Sequence, residues 1–388
     1  MMEFDSAPFL VIWEVTQACD LACRHCRAAA QPCRHPGELS TAEGRRLLEQ
    51  LTEFGLPTPE GRPRLPLLVF TGGDPIKRPD IYDLVAHARA LGLRPSLSPS
   101  ATPLVTRAVV ARLKEVGLAR MAVSLDGAAA ETHDRFRGVA GSYAATLRIV
   151  EWCREVELSL QLNTTITRHN LAELDDIAAL IATLPGVALW SVFFLVPTGR
   201  GRAEDDITPG EYERVFHRLY ELSQALPFDI KTTAAQHYRR VALQHRAAAK
   251  RNGHAGPPLT LKGVSNAAAG DIGRATRGVN DGNGFLFISH LGDIMPSGFL
   301  PIPCGNVRRD HVVEIYRESP VFRALRNPDG YKGKCGACEF RHVCGGSRAR
   351  AYALTGDYLQ SEPNCLYVPR AWRRQQAEAA SVSQACFS

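Results

Sequence analysis

The sequence predicts an α/β protein with a parallel sheet and helices outside it. Between Phe9 and Val196, short apolar runs alternate six times with segments of helical period, the pattern of repeated βα units. Helix-start signals fall where this alternation needs them, and the alternation stops after Gly199-Arg200-Gly201. Six such units suit either a doubly wound sheet or an incomplete barrel. In both, ligands gather at the carboxyl ends of the strands.

The first strand is read from the apolar run Phe9 to Val15, and Ser40-x-x-Glu43 then opens a helix with a capping box. Leu67 to Thr71 reads as the second strand, followed by a helix from about Pro79 to Leu91 and a third strand, Arg94 to Ser98. A helix over Thr106 to Val116 precedes a fourth strand at Arg120 to Leu125. A helix over Tyr143 to Val156 precedes the fifth, Leu158 to Ile166, and a helix over Leu171 to Thr183 leads to the sixth, Leu189 to Val196. The stretch Ile177 to Val196 is uncharged and long enough to span a bilayer. Pro185-Gly186 interrupts it, so it reads as a helix end, a turn and a buried strand.

Beyond the sixth strand, Thr208-Pro209-Gly210-Glu211 opens another helix. The segment from His245 to Gly282 is rich in Gly, Ala and Asn and weakly periodic; after Phe285 come short strands, turns and a dense cysteine cluster. The expected organisation is a core over 1–205, a helical linker over 206–270, a cysteine-rich domain over 271–370 and a tail over 371–388. Hydrophobic residues make up 45% and charged residues 22% of the chain, an ordinary globular balance. The net charge of +6 suits an anionic substrate, and no basic run is interleaved with aromatics, so no nucleic acid partner is expected. The N-terminus shows no signal-peptide pattern, so a cytoplasmic location without a membrane span is expected. In that setting clustered cysteines point to metal or redox chemistry and not to a disulfide framework.

Cys19, Cys23 and Cys26 stand in a Cys-x3-Cys-x2-Cys spacing just after the first strand. Three thiols are one short of a closed tetrahedral site. Buried free thiols are one reading and zinc with His25 as fourth ligand is another, although His25 adjoins Cys26 and closes a tetrahedron poorly. The third is a [4Fe–4S] cluster with one iron left open to bind a substrate or cofactor.

This loop, in this place, resembles the radical S-adenosylmethionine (radical SAM) family. The resemblance implies a partial (β/α)6 TIM-like barrel and an open iron that chelates SAM. Reductive cleavage of SAM there gives a 5′-deoxyadenosyl radical that takes a hydrogen atom from the substrate. On that resemblance Cys19, Cys23 and Cys26 are the catalytic cluster ligands. Gly72, Gly73 and Asp74, in "TGGDP", stand where the family has a Gly-Gly-Glu-type loop beside the SAM amino group, with Asp in place of the usual Glu. "SLDG" and "HDRFRG" are similar to the segment supplying Ser and Arg to SAM, which falls on Ser124 and Arg137. Asn163 is the implied ribose contact, and Val196 stands where the family packs adenine.

Cys335, Cys338, Cys344 and Cys365 form a second set; taken alone, its leading reading is structural zinc. Beside the first motif it resembles the SPASM domain of radical SAM enzymes, and these four match the ligands of that domain's outer auxiliary [4Fe–4S] cluster. The inner cluster's positions are Val279, Ser297 and Ser347, so that cluster is expected to be absent. Four cysteines close the remaining cluster to substrate and leave it electron transfer or structure. Cys33, Cys153, Cys304 and Cys386 read as free thiols.

Runs from Val11 to Pro369, among them "QLNTTIT", "FLVPTGRG" and "FISHLGDIMPSGFLP", are most similar to the haem-biosynthesis branch of the family, which includes iron-coproporphyrin III decarboxylase. That implies oxidative decarboxylation of porphyrin propionates to vinyl groups, an anionic porphyrin as substrate, and a reducing donor such as flavodoxin or ferredoxin. A peptide-modifying maturase is the alternative enzyme. It is disfavoured because the first cysteine is already Cys19, leaving no room before it for a leader-recognition domain. A cysteine-rich zinc or redox-sensing regulator is the non-enzymatic alternative; it leaves the strand-end motifs unexplained.

Overall fold

The computed structural model describes residues 4–56, 64–252 and 278–385, with side chains described to residue 378. Cys386, the expected junction at 270/271 and most of the Gly/Ala/Asn-rich segment lie outside the described residues. The βα array begins β1 (Leu10–Thr16), α1 (Thr41–Thr52), β2 (Leu67–Gly72), α2 (Ile81–Ala90), β3 (Arg94–Leu97), α3 (Arg107–Glu115) and β4 (Arg120–Ser124). It continues with α4 (Ala130–Arg137), α5 (Ser142–Glu155), β5 (Leu160–Ile166), α6 (Leu174–Thr183) and β6 (Val187–Phe194). Next come α7 (Pro209–Ala225), β7 (Asp229–Thr233) and α8 (Tyr238–Arg251). The C-terminal part holds β8 (Phe285–Ile288), β9 (Asp293–Met295), β10 (Gly305–Asn306), α9 (Val312–Glu318), α10 (Pro320–Arg326), α11 (Gly333–Gly336), α12 (Arg348–Thr355) and α13 (Arg370–Ala385).

All of these strands lie in one sheet of order β10-β9-β8-β1-β2-β3-β4-β5-β6-β7. Strands β1 to β7 pair in parallel, one after the next. This is the partial barrel of the parallel α/β class; among the described residues its edge strands are β7 and β10. Both capping boxes form: Ser40 with Glu43 opens α1, and Thr208 with Glu211 opens α7. Pro185-Gly186 makes the expected turn, Gly186 having a φ of 74°, so the apolar stretch divides into α6 and β6. No described helix is long and apolar enough to cross a membrane.

Side-chain alternation assigns the two sheet faces. Val11, Trp13, Val15, Leu68, Phe70, Leu160, Leu162, Trp190 and Val192 face the helices and join one apolar cluster with Leu47, Leu48, Leu51, Leu84, Val110, Ile149 and Ile177. Full burial of each such side chain contributes about 1.5–3 kcal/mol. The opposite face is more open and polar; along β5, Gln161, Asn163 and Thr165 are half-buried while Leu160, Leu162, Thr164 and Ile166 are buried. That concave face carries the carboxyl-end site.

Three features were not expected. β7 lies inside the stretch expected to be a helical linker, and pairs with β6 from Leu189↔Asp229 to Phe193↔Thr233. The segment quoted for "HDRFRG" is the short helix α4, ended by Gly138 in the left-handed region at φ 72°. The cysteine-rich part is also not separate from the barrel sheet, since β8 pairs in parallel with β1, Leu10↔Phe285 to Trp13↔Ile288.

Candidate active site

The three-cysteine loop leaves the carboxyl end of β1. Cys19 and Cys23 are buried in a small cluster with Leu21 and Ala30, and Cys26 packs against it. All three are free thiols. Each sulfur has a donor nearby: the Leu21 N–H to Cys19 Sγ at 3.4 Å, the Ala30 N–H to Cys26 Sγ at 3.5 Å, and Arg137 Nη1 to Cys23 Sγ at 3.7 Å. Cys19 Sγ also lies 3.2 Å from the Ser100 hydroxyl. Burial pushes the Cys19 thiol up, so loading a metal here must expel a proton. Donors aimed at sulfur and a shared apolar shell are what thiolate ligands of an iron–sulfur cluster require. His25 is engaged elsewhere, its ring stacked on Phe136 at 4.3 Å, and burial with nearby Arg137 lowers its pKa to about 3.

Distant parts of the chain hold this loop. Arg200, just after β6, donates from Nε to the Cys23 carbonyl at 2.9 Å and from Nη1 to the Ala30 carbonyl at 3.1 Å. Its own N–H reaches the Cys26 carbonyl at 2.9 Å. Gly199 has to be glycine: φ is 61°, and a Cβ there would meet the Arg27 carbonyl oxygen at 2.2 Å. Arg27 in turn gives Nη2 to the buried Glu14 of β1 at 2.6 Å, and Glu14 also meets His290 Nδ1 at 2.8 Å. Burial works against the Glu14 carboxylate, yet Arg27 and His290 hold its pKa below the usual value. Within the loop, Ala29 adopts a φ of 46°, an uncommon conformation for a residue with a Cβ.

The structure places the expected SAM-facing residues as follows. Gly72 and Gly73 end β2 against the root of the cysteine loop, where a Cβ on Gly73 would sit 2.4 Å from the Ala18 carbonyl oxygen. The Gly73 N–H donates to Thr16 O at 2.8 Å and the Asp74 N–H to Ala18 O at 2.6 Å, so the glycines admit the chain's own backbone here. Asp74 is fully buried and accepts from the Thr102 hydroxyl at 2.8 Å, the Ile76 N–H at 3.2 Å and the Ser100 N–H at 3.4 Å. Its carboxylate therefore ties the ends of β2 and β3, and burial raises its pKa. Ser124 and Asn163 face one another in register across β4 and β5, and Asn163 faces Ser191 on β6. Arg137 forms a buried ion pair with Asp126 beside Cys23, and its Nε has no partner among the described residues. Asp126 is steadied by the Thr165 N–H at 2.7 Å. Burial opposes its charge, but Arg137 keeps its pKa low. Val196 is not brought to this group. Its side chain is 2% exposed, in a separate apolar cluster with Ala234, Leu300, Leu325 and Ala349.

The second cysteine set converges. Cys335, Cys338, Cys344 and Cys365 line one partly open pocket together with His237, Arg240 and Glu362. Backbone N–H groups point at three sulfurs: Glu362 to Cys335 at 3.3 Å, Phe340 to Cys338 at 3.4 Å and Gly346 to Cys344 at 3.3 Å. Arg348 Nη2 adds a charged donor 3.4 Å from Cys335 Sγ. Gly345 and Gly346, with φ of 70° and 66°, bring the backbone round to this arrangement, and a Cβ on Gly346 would meet Cys335 Sγ at 3.2 Å. Burial pushes the Cys365 thiol up to about 11 and Cys344 higher still. Four cysteine sulfurs around one pocket suit a closed metal centre, either a [4Fe–4S] cluster or zinc.

The three positions read as vacated ligands are now knitted together by hydrogen bonds. Ser347 caps α12 by accepting from the Arg350 N–H at 3.1 Å, and its own N–H donates to Glu362 at 2.7 Å. Ser297 accepts from the Phe299 and Leu300 N–H groups and bonds to Asp281, which also accepts from the Ala349 N–H at 2.9 Å. The Val279 carbonyl takes Arg239 Nη2 at 2.7 Å. Arg350 ties this region to the barrel, donating to the Leu195 carbonyl at 2.8 Å and to Glu362 at 3.3 Å.

Sequence reasoning missed Glu14, Asp126, Arg200, His237 and Arg350. Glu14 carried a local signal, a lone charge inside an apolar strand run, and Asp126 and Arg200 stood unremarked inside the quoted "SLDG" and "FLVPTGRG". Arg200 and Arg350 act through contacts with residues far away in the chain.

Comparison with known proteins agrees with this geometry. Residues 13–181 match the model of the radical SAM superfamily. An "AdoMet-dependent heme synthase" of Oleidesulfovibrio alaskensis is 42% identical over 93% of this chain and 88% of its own. One of Methanosarcina barkeri is 40% identical over 95% of this chain and 99% of its own. Among solved structures, Streptococcus suis SuiB bound to S-adenosylmethionine aligns over 93% of this chain and 78% of its own, with a TM-score of 0.67 at 14% identity, a likeness of fold. With its three-cysteine loop after β1, its partial barrel and these relatives spanning nearly its whole length, the chain belongs to the radical SAM superfamily.

Proposed function

We propose that this radical SAM enzyme decarboxylates porphyrin propionates to vinyl groups in haem-type tetrapyrrole biosynthesis. The observation that carries the reading is identity of 40–42% over more than nine-tenths of the chain to relatives bearing the name AdoMet-dependent heme synthase. Cys19, Cys23 and Cys26 would hold the SAM-binding [4Fe–4S] cluster, and Cys335, Cys338, Cys344 and Cys365 one auxiliary [4Fe–4S] cluster. When bound, that cluster and SAM would supply a carbon radical able to take one hydrogen atom from a propionate, whose loss of CO2 and of one electron would leave a vinyl group.

The chain's own residues prepare that step. Arg200 and Arg27 fix the cysteine loop, and the free Nε of Arg137 offers a donor to a carboxylate beside Cys23. Gly72 and Gly73 let β2 meet the loop root, while Asp74 braces the neighbouring strand ends. Ser124 and Asn163 present a polar row on the concave face for a bound cofactor or substrate. The positive balance of the chain favours a polyanionic porphyrin. A cytoplasmic flavodoxin- or ferredoxin-type protein would provide the reducing electron.

The test is anaerobic reconstitution with iron, sulfide and zinc analysis, followed by incubation with SAM, dithionite and iron-coproporphyrin III. About eight irons per chain, 5′-deoxyadenosine, and a porphyrin that has lost CO2 and two hydrogens per side chain are expected. SAM cleavage with the porphyrin unaltered would overturn the substrate. About four irons with one zinc would remove the auxiliary cluster from the reading.

A further inference from the structure

His237, at the start of α8, is 1% exposed. It lines the same cavity as the four C-terminal cysteines. Neither ring nitrogen has a hydrogen-bond partner among the described residues. Its flanks are occupied: Tyr212 stacks on it with centroids 5.5 Å apart, and Phe216 meets it edge-on at 4.6 Å. Burial holds the imidazole neutral, lowering its pKa to about 4, so it has one N–H to give and one lone pair.

Leaving that imidazole unpaired in the interior would cost about 1–3 kcal/mol. The polar groups beside it do not take the bond. The Glu362 carboxylate, which shares the cavity wall, is occupied by the Ser347 and Asn364 N–H groups and by Arg350. Arg240, also on the wall, has only donors: Nη1 and Nη2 go to Glu213 and Gln244, and its Nε has no partner among the described residues. What is left beside it is the cavity that His237 lines with the four cysteines. Four cysteines already complete a cubane, so no ligand position is left for the imidazole. What a cluster would offer His237 is acceptor sulfur.

We propose that His237 donates a ring N–H to a sulfur of the auxiliary cluster, and so raises the potential at which that cluster accepts the electron left by decarboxylation. Hydrogen bonds to cluster sulfur stabilise the reduced, more negative state. This rests on the auxiliary [4Fe–4S] reading above. His237 is then a positioning and tuning residue, since it touches the cluster and not the reacting carbon.

The experiment compares reconstituted wild type, His237→Phe and His237→Gln by metal analysis and by potentiometric titration followed by EPR. About eight irons per chain are expected in all three. The auxiliary midpoint should move to more negative potential in His237→Phe and recover part of the way in His237→Gln, which keeps an N–H. The SAM-binding cluster should not move and serves as the internal control. Should His237→Phe fail to fold, wild-type protein carrying 15N only in histidine should show a histidine nitrogen coupling on the reduced auxiliary cluster in pulsed EPR. An unmoved auxiliary potential in His237→Phe, or no histidine coupling, overturns the proposal, as does loss of an iron from His237→Phe alone, which would make His237 a ligand. Zinc in place of the second cluster would bring down the underlying reading, and metal analysis recognises that before any potential is measured.

Discussion

Arg200 Nε donates to the carbonyl oxygen of Cys23 at 2.9 Å, across 177 positions of sequence. The loop after the sixth strand thereby holds the loop after the first, at the residue between the outer two cysteines. Replacement of Arg200 by Ala strips donors from the Cys23 and Ala30 carbonyls, at a cost of about 1–3 kcal/mol for each group left unpaired. The N-terminal cluster should then be lost faster to an iron chelator, followed by its visible absorbance. Arg200→Lys should be only partly protective, because an ammonium does not reproduce the planar fork.

Gly73→Ala puts a methyl group 2.4 Å from the Ala18 carbonyl oxygen and 2.5 Å from that of Gln17, both backbone atoms. The loop root must move away. Iron should fall from about eight to about four per chain as the SAM-binding cluster is lost and the other stays. Formation of 5′-deoxyadenosine should cease. Iron analysis with EPR of the remaining cluster checks both.

Ser347→Cys restores a thiol at a position read as a vacated ligand. The site around it is already closed by Glu362, Asp281 and the α12 cap. The variant should gain no iron and should lose about 1 kcal/mol of stability with its N-cap, read by urea denaturation of the reconstituted protein. A rise in iron would mean that the inner cavity persists.

Glu43 links pH to stability. Arg308, 2.7 Å from it, and the Ser40 N–H hold its carboxyl at about 2, against an ordinary 4.5. A folded-state value below the unfolded one adds stability above pH 4.5 that is lost as pH falls through about 2. Glu43→Gln should therefore be less stable by about 1 kcal/mol at neutral pH, a figure discounted for solvent around the pair. The gap between variant and parent should narrow as pH falls from about 4.5 toward about 2 in urea titrations.

The parts of this molecule legible in the sequence are those with a local period or spacing. β1 to β6 announce themselves through apolar runs between capped helices, and both cysteine sets through spacing. β7 was hidden because only Ile230 of Asp229–Thr233 joins the main apolar core, leaving a polar concave face with no apolar alternation. The sixth strand ends two residues short of the expected Val196 for a different reason. β6 stops at Phe194, and Leu195 and Val196 leave the ladder to meet Arg350 and the apolar cluster of the C-terminal part. His237 and Arg200 carry no pattern of their own, since each acquires its meaning only from what the fold lays beside it.

The pairing of Leu10 with Phe285 also has a consequence for the birth of the protein. On the ribosome β1 emerges before every other strand of the sheet, yet one of its two neighbours, β8, is translated only after the whole βα array. Until then the nascent barrel offers an unpaired backbone edge along Leu10–Trp13, the kind of edge that recruits foreign strands. Chains terminated before residue 285 should for that reason depend on chaperones or aggregate, even with every residue proposed to face SAM already made.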